Sequence, residues 1–427
     1  MIDSNEVALI LLRIDSTASR LLLTVAAIGC VFFVWIAAKS NFANAVSSRA
    51  DQKDIVELAV GLGPDDPQTH FAAAVIYQKT FDETDVKLSL AEYEKAAALS
   101  PNNYLCWLEL GKARERNGDS TGAGLALKKA LDLAPNYADV QWAYGNTLLR
   151  AGRMDDAFEQ IRKSAAGKPA FANPAVVTAM QTFDGDVDRV RQAIGNTSVI
   201  NAAIAAFFVS QKRLADAAGA WEQISADERR TSYKDAGTAL ANAFLSAKQF
   251  RIASRVLGDI SKTQKPIGII DDSGFEAGVK LTGAGAFEWQ IASGAEPQIA
   301  LSTAQKHGGN SSLLFVFNTM QAADFRVVSQ NVAVEPGANY EFEAFCRTDL
   351  KTQATVRWEI ADAMDGKVLA KTESIAANTD WFPLKVKFMV PATSDGVIIR
   401  LVRAECQSSV CPINGRLWCD DISIRQQ

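Results

Sequence analysis

The chain has 427 residues, 48% hydrophobic and 22% charged, with a net charge of −5. At roughly 100–200 residues per domain, that length calls for two or three folded units. The acidic balance, with no Lys/Arg-rich run, excludes nucleic acid as a partner, because phosphate needs a basic face.

Leu21 to Ala38 is the first element, an uncharged run bracketed by Arg20 and Lys39, with Trp35 near one end. As a helix it spans about 27 Å, close to the hydrocarbon thickness of a bilayer. An indole near the end suits the membrane interface. The rival reading is a signal peptide cut at Ala43-Asn44-Ala45, but the apolar run is long for that role and Lys39 precedes the cut. The expectation is an uncleaved transmembrane helix, with residues 1–54 forming a cytoplasmic tail, the span and a linker. Charge does not orient it: Arg13 and Arg20 precede the span, and Lys39, Arg49 and Lys53 follow.

Next comes a repeat. Pro67, Pro101, Pro135 and Pro169 are each 34 residues apart, and the same offset links Gly111 to Gly145 and Ala123 to Ala157. The best copy carries Trp107, Leu110, Gly111, Ala123, Leu127, Ala130 and Pro135, with Arg114 at a position where an aromatic is usual. Small residues at Gly111 and Ala123 let two antiparallel helices approach closely, and proline ends the second helix. Period and pattern resemble the tetratricopeptide repeat. The next copy holds Tyr144, Gly145, Ala157, Ile161 and Pro169; the preceding one, with Tyr77, Tyr93, Ala96 and Pro101, is weaker. Beyond Pro169 the register drifts, yet Ala205, Phe208, Ala217, Trp221 and Ile224 fit a further hairpin. Ala241, Phe244, Ala253, Leu257 and Ile260 fit another. Five or six helix pairs are expected over 55–262, an all-α solenoid. The resemblance implies a groove for a protein partner, lined by Gln78, Lys112 and Asn146 at one equivalent position with Trp142 nearby; a merely solvated face is the alternative. Trp107 and Trp221 read as core.

Around Pro266 the helical period stops. Leu313–Asn318, Phe325–Val334, Tyr340–Arg347, Thr355–Ile360, Phe382–Val390, Val397–Arg403 and Arg416–Ile424 alternate as strands, with Asp365-Gly366 as a hairpin turn. Tyr340, Phe342, Ala344 and Cys346 share one buried face. Residues 263–427 therefore read as an all-β sandwich. Asp272-Ser-Gly-Phe-Glu-Ala-Gly278, Trp289, His307-Gly-Gly-Asn-Ser-Ser-Leu313, Val334-Glu-Pro-Gly337 with Tyr340, Trp381 and Trp418-Cys-Asp-Asp-Ile422 resemble, in order and spacing, the galactose-binding-like jelly rolls of carbohydrate-binding modules. That resemblance implies a structural calcium held by Glu276 with Asp420 or Asp421, and His307 contributing through its backbone; turn capping is the alternative for these carboxylates. For glycan contact the candidates are Trp358 and Trp381, with Arg357 and Glu359 alternating around the first, although a sandwich tryptophan is commonly core.

Four of the six cysteines lie in this last segment, and there is no CxxC. Cys406 and Cys411 enclose a four-residue loop and are the first expected disulfide; Cys346 and Cys419 either bridge or pack as thiols. An oxidising compartment follows, which places the domains after the span in the periplasm of a bacterial inner-membrane protein.

Two histidines, His70 and His307, in different units make a histidine triad or metal site a poor expectation. No G-x-S-x-G, H-E-x-x-H, P-loop or G-x-G-x-x-G occurs. Carboxylate pairs such as Asp65-Asp66 and Asp271-Asp272 sit at element boundaries, where caps and turns use them. No catalytic residue is assigned. The expected function is a non-catalytic envelope scaffold, acting in surface or exopolysaccharide assembly. Its alternatives are a purely protein–protein assembly factor and an accessory subunit of a glycoside-active enzyme.

Overall fold

The computed structural model describes residues 16–80, 82–261, 266–321, 324–351, 356–404 and 410–427. It divides into two compact units, Met1–Gly195 and Asn196–Gln427. The division falls inside the predicted solenoid rather than at its end.

Among the described residues, the regular elements of the first unit are all helical. α1 (Thr17–Ser47) is long and apolar enough to cross a membrane, and the side chains of its apolar run are exposed. Lys39 lies over the Trp35 ring at 5.6 Å. The helix continues past the apolar run into the protein. Ala43 and Ser47 are buried, and a Cβ on Gly63 would stand 2.9 Å from the Ala43 methyl. Thus the end of α1 packs beside α2 (Lys53–Leu62) and α3 (Pro67–Lys79).

Pairs follow: α3 with α4 (Glu83–Leu99), α5 (Tyr104–Arg116) with α6 (Ser120–Leu133), α7 (Ala138–Arg150) with α8 (Met154–Gly167), and α9 (Ala172–Thr182) with α10 (Val187–Ile194). Asp66, Asp82, Asn103 and Asp119 cap α3 to α6, each accepting an amide of the first turn. The small-residue seam is as expected. A Cβ on Gly111 would lie 2.5 Å from Leu127 Cγ, and one on Gly145 would lie 3.0 Å from Ile161.

The proline register needs one correction. Pro101, Pro135 and Pro169 each stand three residues before the next α-helix, whereas Pro67 is the first residue of α3. Proline is accepted there because the first helical amide has no partner anyway. Pro64 takes the equivalent place, since His70 Nε2 meets its carbonyl at 2.8 Å as Trp107 Nε1 meets that of Pro101 at 2.9 Å. The shift arises because α4 has 17 residues where α6 and α8 have 14. Gln78 is consequently the twelfth residue of its helix, one turn beyond Lys112 and Asn146, each the ninth of theirs.

The second unit begins with α11 (Ser198–Ser210) paired to α12 (Leu214–Glu222). The short α13 (Ala226–Thr231) precedes α14 (Lys234–Ser246), which pairs with α15 (Phe250–Ile260). Phe208, Trp221 and Phe244 are fully buried in these pairs. Six pairs therefore occur among the described residues.

The β-sandwich has two five-stranded antiparallel sheets. One runs β1 (Gln290–Ile291), β4 (Val328–Ala333), β9 (Gly396–Arg403), β6 (Val356–Asp362), β7 (Val368–Lys371). The other runs β2 (Gln298–Ser302), β3 (Ser312–Gln321), β10 (Val410–Gln426), β5 (Asn339–Thr348), β8 (Phe382–Met389). All seven expected strands are present. Tyr340, Phe342, Ala344 and Cys346 face the core from β5. Gly366 turns β6 into β7 at φ 79°. The three unforeseen strands are short edges; β1 has two residues, β2 is mostly exposed, and β7 is half exposed.

Helix and sheet meet within this unit. Asp395 caps α15, accepting the amides of Phe250 at 2.9 Å and Arg251 at 3.0 Å. A carboxylate there also complements the helix dipole. Arg251 pairs with Glu335 at 3.0 Å. Gly396 lies so near Phe250 that a Cβ would come within 2.4 Å of its ring.

Candidate functional site

In the first unit the expected groove residues lie on α3, α5 and α7, the leading helices of three consecutive pairs. All are half-buried. Gln78 Oε1 accepts from Arg116 at 2.6 Å and from Tyr93 Oη at 3.2 Å. Lys112 pairs with Glu109 at 2.8 Å. Asn146 donates to the Trp142 carbonyl at 2.8 Å, and the Trp142 ring stacks on Phe171 with centroids 5.2 Å apart. Glu115 joins neighbouring pairs through Thr147 at 3.1 Å and through Arg150. The four residues thus sit in a polar strip already crossed by charge-assisted bonds; Glu115 and Arg116 belong to it and were not foreseen.

In the sandwich, three separated motifs converge. Asp272, at φ 46°, accepts the amides of Glu276 at 2.7 Å and Ala277 at 3.1 Å, which closes the first turn. Its carbonyl takes the Trp289 indole at 3.2 Å, and Phe275 packs against that ring at 5.3 Å. Glu276 then reaches the 307–313 loop, accepting the amides of Asn310 at 2.6 Å and Ser311 at 3.3 Å. From the far end of the chain, Asp420 accepts the amides of His307 at 2.8 Å and Gly308 at 3.1 Å. Asp421 meets His307 Nδ1 at 2.7 Å. The β10–β5 register shifts between Asp420 and Ser423, and Asp421 takes φ 48°. That bulge aims two successive carboxylates at one loop. Both loop glycines leave room for these carboxylates as they stand: a Cβ on Gly309 would fall 1.9 Å from Glu276 Oε1, and one on Gly308 2.6 Å from Asp421 Oδ2.

The electrostatics divide the cluster. The amides of Asn310 and Ser311 hold the Glu276 carboxyl below the usual range. Burial pushes Asp420 up, against three amide donors that pull it down. Three carboxylates with all-oxygen chemistry suit a hard cation such as calcium. Yet their oxygens are directed at amides, and no group of three or more such side chains among the described residues shares a coordination point.

The glycan candidates do not form one site. Trp358 is fully buried, packed between Phe342 at 5.8 Å and Trp289 at 6.1 Å, and has no face to offer a ligand. Because strand side chains alternate, Arg357 and Glu359 point away from it, out of the β1-β4-β9-β6-β7 sheet. There Glu359 is shared by Arg357 at 2.9 Å and Arg400 at 3.1 Å. Trp381 leads into β8 of the other sheet and is half-buried. It lies 5.7 Å from the His307 ring, which stacks on Phe345 at 3.8 Å and 12°. Phe345 was legible: it is the aromatic on the outward phase of β5. Of the cysteines, Cys411 is disulfide-bonded, while Cys406 lies outside the described residues. Cys346 and Cys419 are neighbouring buried thiols.

A tetratricopeptide-repeat family model matches residues 81–138 and 108–170, so this part of the chain carries such repeats. No curated protein matches the chain. Among solved structures, a family 61 carbohydrate-binding module in complex with β-1,4-galactotriose is 15% identical over 36% of this chain and 96% of its own, at a TM-score of 0.26. A family 16 carbohydrate-binding module is 16% identical over 36% and 98%, at 0.26. A double mutant of MamA is 13% identical over 36% and 94%, at 0.31.

Proposed function

We propose that the protein is a non-catalytic, single-span membrane scaffold whose repeats hold a protein partner and whose sandwich contacts a glycan. One observation supports the anchored reading above others: α1 runs without a break from an exposed apolar run into the packing of the first helices. Cleavage at Ala43-Asn44-Ala45 would cut inside that packing and remove the turn that Gly63 is shaped to receive. An uncleaved helix also sets the repeats close to the bilayer, since only about 12 Å of helix separates Lys39 from Ser47. Mass measurement of the protein extracted from its membrane tests this. Retention of residues 21–45 is expected, and a chain starting near residue 46 refutes the anchor.

The cysteine content of the sandwich supports periplasmic placement. The docking role is supported by repeats whose leading helices carry a polar strip. Crosslinked pull-down of the anchored protein, compared with a Lys112→Ala/Asn146→Ala variant, tests it; unchanged capture of the same partner removes the strip from the interface.

For glycan contact the geometry favours the Trp381, His307 and Phe345 rings with Asp421 beside them, because sugars need an aromatic face next to hydrogen-bonding groups. A glycan array with the detergent-solubilised full chain should show binding that Trp381→Ala abolishes. A blank array leaves a protein-only assembly role. Calcium, if bound, would be held by Glu276, Asp420 and Asp421 after they turn from the amides to a common point, and would serve structure alone. The sandwich melting temperature should then rise in calcium relative to chelator.

A further inference from the structure

Cys346 on β5 and Cys419 on β10 are direct register partners in the antiparallel ladder. Both are completely buried, and their sulfurs are 3.3 Å apart. Opposed residues in such a ladder have Cα atoms about 4.5–5.5 Å apart. A disulfide accepts about 4.4–6.8 Å. Closing the bond asks each sulfur to move by roughly 0.6 Å. The strand that carries Cys419 also carries the disulfide-bonded Cys411.

We propose that Cys346 and Cys419 are joined in the mature protein by a cross-strand disulfide that locks β5 to β10. The proposal rests in part on the reading that the sandwich lies on the oxidising side of the membrane. Oxidation consumes one disulfide of a protein or small-molecule oxidant. The first thiolate attacks it, forming a mixed disulfide and releasing one thiol; the second thiolate displaces the other. Two S–H bonds are lost and one S–S bond is made. The two electrons and two protons pass to the oxidant, which leaves as two thiols. Burial pushes the Cys419 thiol up, so exchange belongs to folding, before the core closes. The link sits one residue before Asp420 and thus fixes the register from which the bulge aims both carboxylates at the 307–311 loop.

Full-length protein is taken from its membrane, alkylated with iodoacetamide under denaturing, non-reducing conditions, digested and weighed. A single linked peptide pair containing Cys346 and Cys419 is expected. Two alkylated cysteines overturn the proposal, as does pairing of either with Cys406 or Cys411. Refolding a separate, unalkylated portion of the same protein in oxidised glutathione then identifies the fault: bridging means the compartment was misread, and persistent thiols mean the geometry was. As a second readout, reductant should lower the melting temperature of the sandwich by roughly 5–10 °C more in the wild type than in Cys346→Ala/Cys419→Ala. The double variant keeps the Cys411 bridge, so equal shifts in the two proteins also count against the link.

Discussion

In the helical pairs of the first unit, side chains that fix the packing find their partners within the same pair or the next one along the chain. Ser89 reaches the Ala74 carbonyl, Tyr93 reaches Gln78, and His70 reaches Glu92. In the sandwich the partners are distant in sequence. Glu276 reaches the 307–311 loop, and Asp420 reaches back 113 residues to His307. One region is built from short loops repeated, the other from three remote segments that fit only when all are in place. Damage to a repeat should therefore stay local. Damage to the convergence point should unseat the whole sandwich.

The largest expected effect is at the sandwich core. Trp358→Ala removes a fully buried indole from the Phe342 and Trp289 contacts and should cost about 3–5 kcal/mol. The loss is read from the denaturation of the 196–427 unit. A loss under about 1 kcal/mol would return Trp358 to the surface and restore it as a ligand contact. Next comes Asp420→Ala, which strips the acceptor from the amides of His307, Gly308 and Asp421. Roughly 1–3 kcal/mol is expected from leaving these partly buried donors unmet. Hydrogen exchange should rise along 307–311 and along β5 together. Exchange confined to the loop would break the argument from convergence.

Legibility follows the same line. The 34-residue spacing exposed the repeats because Gly111 and Gly145 answer the same steric demand in successive pairs. It misled at Pro67, since a longer α4 moved α3 by one turn while leaving a proline in register. The buried phase of β5 was plain from alternation, yet the same alternation should have turned Arg357 and Glu359 away from Trp358. The carboxylate cluster was visible as motifs, but its loop amides were not. Backbone donors leave no mark on sequence except the glycines that admit them. The capping of α15 by Asp395 was also hidden, because a cap supplied 144 residues away has no local signature.

Within the repeats, Gly111→Val sharpens the contrast. Its new side chain would meet Leu127 and the Ala123 carbonyl, forcing α5 from α6 at a cost of about 1–3 kcal/mol. The transition of the 1–195 unit should fall while that of the 196–427 unit holds. A shift of both would mean that the two units unfold as one and that locality is lost.

The smallest effect is electrostatic. His70 is buried between α3 and α4, with Nδ1 on Glu92 and Nε2 on the Pro64 carbonyl at 2.8 Å. The Glu92 bond raises its pKa above the ordinary value, with help from Pro64 and against burial and the charge of Lys95. Glu92 is held low despite its burial by His70 and Lys95, so it stays ionised across the range that matters. A group bound more tightly to its proton in the folded state stabilises that state at low pH. The contribution is complete below about pH 6.5, where the unfolded histidine is protonated too. It is lost as pH rises through the folded value. Stability of the 1–195 unit should accordingly decline over that window in the wild type and not in His70→Gln, which keeps a hydrogen bond but no titration. Parallel curves would show that the imidazole is neutral in the fold, and that this pair holds the first repeat by shape rather than by charge.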